Sequence, residues 1–507
     1  MPPAIATVVY VALILGLFRL DHDRRSSVSP ALWLPCLWLA ICSSRAVGLW
    51  FGGPSVLEYA DQMAEGSPFD RNLLSVILVA ALLVLAARKE RTLEVLRSNG
   101  PLLVFFAFAG LSVVWSEYPY IALRRWVKAS GHLVMVLMVV TELDPLAAVK
   151  RLMTRCAFVL IPLSILFIKY YPNWGRSWHR YTGDTFLQGV SIGKNGLGLV
   201  LLIFGMAVLW RLLHEFDRND GRRRTASLVA NGVVLTMALW LFWQVDSVTA
   251  LVCFLVGSAT MVVLRRPRFA RSHGAVYALI GVSVLAPVAI VVFGIGTGLL
   301  ESMGRDATLT GRTLLWEDVS RLNQSLVLGT GFESFWLGDR LDFFLETYWW
   351  RPNQAHNGYL EIFVNLGAVG LLLHAAVIVW GCRKLVGGLG QSPELGCLML
   401  AFFVVTLLYN FSEAGFRSMH ASWFIFLLAT VPRGKPTPLA VRRAEVGTLR
   451  MGPRLGVAPI GSLESFGDLM PRGSVGRRDT SSPATSTSVE LPRVSWKRPP
   501  IGQSRPR

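Results

Sequence analysis

RPNQAHNGYLEIFVNLGAVG, residues 351–370, places a single histidine, His356, at the mouth of a long apolar segment. At 3.6 residues per turn, His356, Leu360, Phe363, Gly367, Gly370 and His374 fall on or near one helical face. Gly367 and Gly370 on that face let a neighbouring helix or a lipid chain approach the backbone closely. A polar stretch, 297–357, rich in Arg and aromatic residues, leads into it. In a chain otherwise built of apolar runs, a loop that long implies a function. A lone histidine beside a helix start is ordinarily a cap or a surface residue, so its surroundings decide how it is read.

Hydrophobic residues make up 53% of the chain and charged residues 16%, which excludes a soluble globular protein. The apolar runs have the length needed to cross a bilayer, and a crossing chain must satisfy its own backbone hydrogen bonds. The expected fold is therefore all-α, a polytopic integral membrane protein. The runs lie near 4–20, 30–51, 72–87, 101–116, 129–141, 153–168, 196–213, 226–244, 247–264, 275–296, 356–381, 396–411 and 419–431. That makes about thirteen transmembrane helices with one long periplasmic loop. The 30–51 run carries Arg45 and is expected to tilt or break. The first run lacks a positive leader, so it reads as a span with its N-terminus outside rather than as a cleaved signal.

Basic residues in short loops set the orientation. Arg24 and Arg25, Arg88 to Arg97, Lys150 and Arg151, Arg218 to Arg224, Arg265 to Arg271, and Arg383 with Lys384 occupy alternate loops. All are cytoplasmic if the N-terminus is outside. Residues 1–431 form the membrane domain, with 297–357 as a periplasmic loop carrying part of the active site. Residues 432–507 hold fourteen Lys/Arg and five Asp/Glu, half of the formal charge of +18. This Pro-, Gly- and Ser-rich tail reads as disordered and cytoplasmic, so the net charge does not point to nucleic acid. The six cysteines lie in or beside apolar runs without metal-ligand spacing and read as packing residues.

Several outer segments keep basic residues that topology does not ask for: Arg124, Arg125 and Lys128; Arg176, Arg180 and Lys194; Arg305, Arg312, Arg321, Arg340 and Arg351. One at a time they pair with lipid phosphates or nearby acids. Together they suggest a single anion site where helices meet, since the guanidinium fork binds phosphate oxygens in pairs. Glycines 183, 189, 193, 196 and 198 lead into a helix whose N-terminus attracts anions, with Lys194 and Arg176 or Arg180 nearby. In TLTGRTLLWEDV, 308–319, Thr310 caps a helix with apolar positions at Leu314, Leu315, Val319 and Leu322. Arg312 then lies in its first turn, where a cation adds to the positive helix end. The aromatics from Phe332 to Trp350 suit the headgroup region, with one or two against sugar. Arginines, one histidine and no metal motif fit group transfer from a phosphate leaving group. The arginines take up its charge, and the histidine removes a proton from the attacking hydroxyl.

The spacing of His356, Asn357, Gly367 and Gly370 resembles the signature of the O-antigen ligase superfamily, which includes exopolysaccharide and O-antigen polymerases. WSEYPYIALRR near 115–125, GVSIGKNGLG at 189–198, SVTA at 247–250, and GRTLLWEDV with GTGF within 311–332 are similar in order and spacing to the exopolysaccharide polymerase branch. The resemblance covers roughly 70–431. Gly193 departs from it, because relatives often carry His there. The resemblance implies an inverting, metal-independent glycosyltransferase without cofactor, acting at the periplasmic face of the bacterial inner membrane. Its donor would be a glycan on undecaprenyl pyrophosphate; its other partners would be the bilayer and polysaccharide export components.

By motif position Arg312 corresponds to the pyrophosphate-gripping arginine and His356 to the residue that activates the acceptor. Arg176, with Arg180 as the alternative, is the expected second phosphate arginine. Lys194 completes that set, and Asn357, Gly367 and Gly370 support it. Polymerisation of lipid-linked repeat units leads. Ligation of finished polymer to lipid A-core is the alternative, and transport of polysaccharide or lipid a distant third.

Overall fold

The computed structural model describes residues 1–21, 28–50, 67–178, 183–216, 221–292, 310–323 and 325–431. The expected disordered tail lies outside the described residues, as do Arg180, Arg305 and the first part of the 297–357 loop.

Every expected span corresponds to a helix. In chain order these are α1 (Pro3–Leu20), α2 (Trp33–Ser43), α3 (Pro68–Ala87), α4 (Lys89–Arg97), α5 (Gly100–Leu111), α6 (Pro119–Val140) and α7 (Pro145–Tyr170). A two-stranded antiparallel hairpin follows, β1 (Arg176–Trp178) and β2 (Thr185–Leu187), with Ser177 opposite Phe186. This small sheet is the departure from an all-α chain. Then come α8 (Gly193–Glu215), α9 (Gly221–Gln244), α10 (Val248–Leu264), α11 (His273–Val292), α12 (Thr310–Arg321), α13 (Asp339–Thr347), α14 (Gly358–Gly388), α15 (Pro393–Ser412) and α16 (Ala421–Thr430).

Among the described residues, seven helices are long and apolar enough to cross a membrane, or eight if α4 and the α5 segment, bent by 90°, form one broken span. The seven are α1, α3, α7, α8, the 224–244 part of α9, α14 and α15. The other helices are too short or too charged to cross by that measure alone. α6, for example, has the length but carries Arg124, Arg125 and Lys128 in its first half.

Burial sorts the bundle into an inside and an outside. Most of α7, α8 and α15 is buried, whereas α1 and α3 leave most of their apolar surface uncovered. Apolar residues on every side of a helix need protein around them or lipid, so α1 and α3 form the lipid-facing wall. The expected break in the second span is real: α2 stops at Ser43, and Arg45 lies beyond it. The Arg45 guanidinium stacks on Trp50 and donates to the carbonyls of Trp174 (2.7 Å), Gly189 (3.0 Å) and Ser191 (3.0 Å). It ties the broken span to the approach of α8.

The helical face that sequence periodicity drew through His356 and Gly367 is not continuous. α14 starts at Gly358, so His356 precedes it. Gly367 interrupts it with φ +64° and ψ −168°, a backbone region essentially reserved for glycine. Close approach at Gly367 does occur, but the visitor is neither another helix nor lipid. Segment 326–331 of the same chain docks into the break. Ala368 N–H donates to Leu326 O (2.8 Å) and Val369 N–H to Val327 O, while Thr330 and Gly331 N–H donate to the carbonyls of Val364 and Asn365. A Cβ on residue 367 would stand 2.1 Å from Val327 O, and one on residue 329 would stand 2.4 Å from the Asn365 carbonyl carbon. Gly367→Ala is therefore expected to expel this segment and to destabilise the protein by about 1–3 kcal/mol or more. Thermal unfolding in detergent measures it, and an unchanged midpoint would mean that the break is not structurally required.

The rest of the long loop is held as firmly. Leu315, Val319, Phe335, Trp336, Phe344 and Val364 form a buried cluster of their own. Most of the aromatics assigned to the headgroup region thus fill a loop core, with Phe343 and Trp349 left exposed. Arg340 forks onto both oxygens of Glu117 at 2.9 Å, a pairing that holds this carboxyl below the usual carboxylate range.

Candidate active site

His356 is fixed mainly through its backbone neighbours. The Ala355 N–H donates to Glu361 Oε1 (2.6 Å), and the Ala355 carbonyl accepts from Trp316 Nε1 (2.7 Å). Asn357 caps α14, its Oδ1 accepting from Tyr359 N (3.0 Å) and Leu360 N (3.1 Å). His356 itself adopts φ +50°, uncommon for a residue with a side chain. Such strain persists only where the surroundings impose it. The imidazole leans on Trp350 with ring centroids 5.6 Å apart.

Its polar partner is a residue that motif reading did not select. Nδ1 of His356 lies 3.3 Å from Oε2 of Glu413. The other oxygen of Glu413, Oε1, accepts from Asn195 Nδ2 (2.8 Å) and from Arg312 Nη2 (3.3 Å). Arg312 Nη1 also donates to the Ser412 carbonyl. One buried carboxylate thus joins the first turn of α8, the first turn of α12, the approach to α14 and the end of α15. The turn after α15 is shaped by Asn410, whose Oδ1 accepts from Gly415 N at 2.8 Å. Glu413 bonds back to the histidine loop through its own carbonyl, which accepts from Gly358 N at 3.1 Å.

This turn, 412–420, reads in sequence as a short connection between two spans, and charged residues there suggest solvent. A signal was present nonetheless. The expected topology puts this connection on the same face as His356 and Arg312, and it carries both an acid and an arginine, Arg417.

His356, Glu413, Asn195, Lys128, Arg417 and His420 line one cavity of about 620 Å³. Leu49, Leu73 and Leu74 form its apolar side. The remaining phosphate candidates stand elsewhere. Lys194 pairs with Asp246 at 3.4 Å, beside a separate cavity lined by Asp184 and Trp349. Arg176 is exposed on β1, and its Nε donates to the Ile168 carbonyl (2.9 Å). The structure thus joins Arg312 to His356 through Glu413, although of the two only His356 lines this cavity, and Arg176 and Lys194 also stand outside the lining. Arg125 and Arg340 do not join them either: Arg125 donates to the Glu333 carbonyl and Arg340 to Glu117. The helix carrying Arg312 is described from Thr310 onward, and it packs through Leu315 and Val319 and leaves Leu314 exposed.

Chemically the arrangement can do two things. A carboxylate on Nδ1–H of a histidine fixes the tautomer and leaves Nε2 free to accept a proton. An arginine with two of its five N–H donors engaged keeps the others for an oxyanion.

A family model described as O-antigen ligase matches residues 232–375, a stretch that includes Arg312, His356, Gly367 and Gly370 and ends before Glu413. The exopolysaccharide production protein ExoQ of Rhizobium meliloti (strain 1021) is 27% identical over 384 residues, which covers 73% of this chain and 83% of that protein.

Proposed function

Taking the chain as the member of the O-antigen ligase superfamily that these matches make it, on the exopolysaccharide side, we propose that it polymerises lipid-linked oligosaccharide repeat units. The observation that carries this reading is the Glu413 bridge, which sets His356 and Arg312 on opposite oxygens of one carboxylate. The donor is a glycan on undecaprenyl pyrophosphate. The acceptor is a sugar hydroxyl of a second lipid-linked unit. The hydroxyl oxygen attacks the anomeric carbon from the face opposite the pyrophosphate, so configuration inverts. His356 takes the hydroxyl proton on Nε2, while Glu413 stabilises the imidazolium through Nδ1–H. The bond from the anomeric carbon to the pyrophosphate oxygen breaks, and Arg312 takes up the charge that develops there.

In this reading a guanidinium does what a divalent cation does elsewhere, so transfer should continue in excess chelator. A strict Mg²⁺ requirement would count against it. The site faces the periplasm from the inner membrane, and the N-terminus is outside. Ligation of finished polymer to lipid A-core is the second reading, favoured by the description of the matched family. The two readings share the leaving-group chemistry and differ in acceptor.

The deciding experiment is the glycan profile of a strain lacking the protein, resolved by size and by lipid carrier. Single lipid-linked repeat units without long polymer are expected. Long polymer retained on the lipid carrier, with uncapped lipid A-core, would overturn polymerisation in favour of ligation.

A further inference from the structure

Two cations line the cavity without a direct ion-pair partner among the described residues, and neither is Arg312. Lys128 and Arg417 both line it, and neither side chain makes a hydrogen bond or an ion pair with another described residue. The nearby carboxylates act on them only at a distance, Asp70 and Glu333 on Lys128 and Glu361 on Arg417, and each is hydrogen-bonded elsewhere. Asp70 accepts from Gly48 N (2.9 Å), and Glu413 is held by Asn195, Arg312 and His356. On the other side of Arg417, beside a second small cavity, Glu333 accepts from the backbone N–H and hydroxyl of Ser418, and Glu361 from Ala355 N and Trp336 Nε1. A half-buried cation with no partner is costly unless something else brings the opposite charge.

Two further polar features meet the same space. Ser191, Ile192, Asn195 and Gly196 line it where α8 begins, and Ile192 supplies no side-chain cap to the free N–H groups of that first turn. His420 also lines it, with Nδ1 buried and unpartnered. The wall formed by Leu49, Leu73 and Leu74 is apolar. A ligand matching all of this has a compact, multiply charged anion at one end and a hydrocarbon at the other.

We propose that Lys128 and Arg417 hold the diphosphate of a prenyl diphosphate, with its first isoprene units against Leu73 and Leu74. The inference rests on the reading of the substrates as glycans on a polyprenyl diphosphate, and it assigns their head group to residues outside the matched motifs. Donor and acceptor of a repeat-unit polymerase both carry this head group.

Full-length protein in nanodiscs, titrated with farnesyl diphosphate, provides the test. Wild type should bind it saturably, and farnesol at least about tenfold more weakly, because the charged groups supply most of the recognition. Arg417→Gln and Lys128→Gln should each weaken binding about tenfold, Arg417→Lys less, since an ammonium keeps the charge without the fork. His356→Ala should bind as wild type. Only variants with the wild-type melting temperature are compared, and Arg417→Lys serves if the glutamine variant fails to fold.

Unchanged affinity in both glutamine variants overturns the assignment. Equal affinity for inorganic pyrophosphate overturns the prenyl part, leaving a bare anion site. A wild type that transfers lipid-linked glycan without binding the probe overturns this site but not the activity. One that neither binds nor transfers removes both. A rise in KM confined to the donor, or confined to the acceptor, supports the proposal and says which head group is held.

Discussion

His356→Ala is expected to insert and fold like the wild type and to lose transfer by about a hundred- to ten-thousand-fold, the range for removing a general base. Folding should survive because the loop is held by its backbone and by neighbours rather than by the imidazole. Ala355 bonds through both its N–H and its carbonyl, Asn357 caps the helix, and Gly358 N–H reaches the Glu413 carbonyl. What the substitution removes is the nitrogen that receives the proton. Glu413→Gln separates that role from structure. An amide still bonds to its neighbours but no longer stabilises an imidazolium, so kcat should fall while the KM of the donor stays near its wild-type value. Wild-type activity in His356→Ala, measured with defined lipid-linked substrates, would end the general-base assignment.

Arg312→Lys is expected to cost about a hundred- to a thousand-fold in kcat, comparable to losing one donor at a developing oxyanion. The charge is kept, so a purely structural ion pair with Glu413 would tolerate it. The fork is lost, and with it the capacity to bond Ser412 and Glu413 through two nitrogens while other N–H groups address the phosphate. The distinguishing measurement is kcat against melting temperature. A variant that melts early and turns over normally would make Arg312 a strut between α12 and α15 rather than a phosphate ligand.

Much of this protein is legible in sequence because lipid constrains it so tightly. A backbone in hydrocarbon has to be helical, so apolar runs translate into helices nearly one for one, down to the break at Arg45. The short motifs were legible for a similar reason. Gly367 and Asn357 are local demands, one for a backbone region closed to side chains and one for a helix cap, and local demands leave their mark in residue type. The arginines were harder. Topology marks Arg125, Arg340 and Arg312 alike as cations on the unexpected side, and nothing in the local sequence says that one meets a backbone carbonyl, another Glu117 and the third Glu413.

Sequence by itself determined the helical membrane architecture, the long loop, and the pairing of a histidine motif with an upstream arginine. Only the tertiary structure decided that Glu413 stands between them, that segment 326–331 enters the break in α14, and that Lys128 and Arg417 line the cavity with no direct partner among the described residues. The reason is physical. Helix and cap are settled among residues a few positions apart. A carboxylate that gathers donors from positions 195, 312 and 356 is settled by how four elements pack, and no spacing along the chain records it.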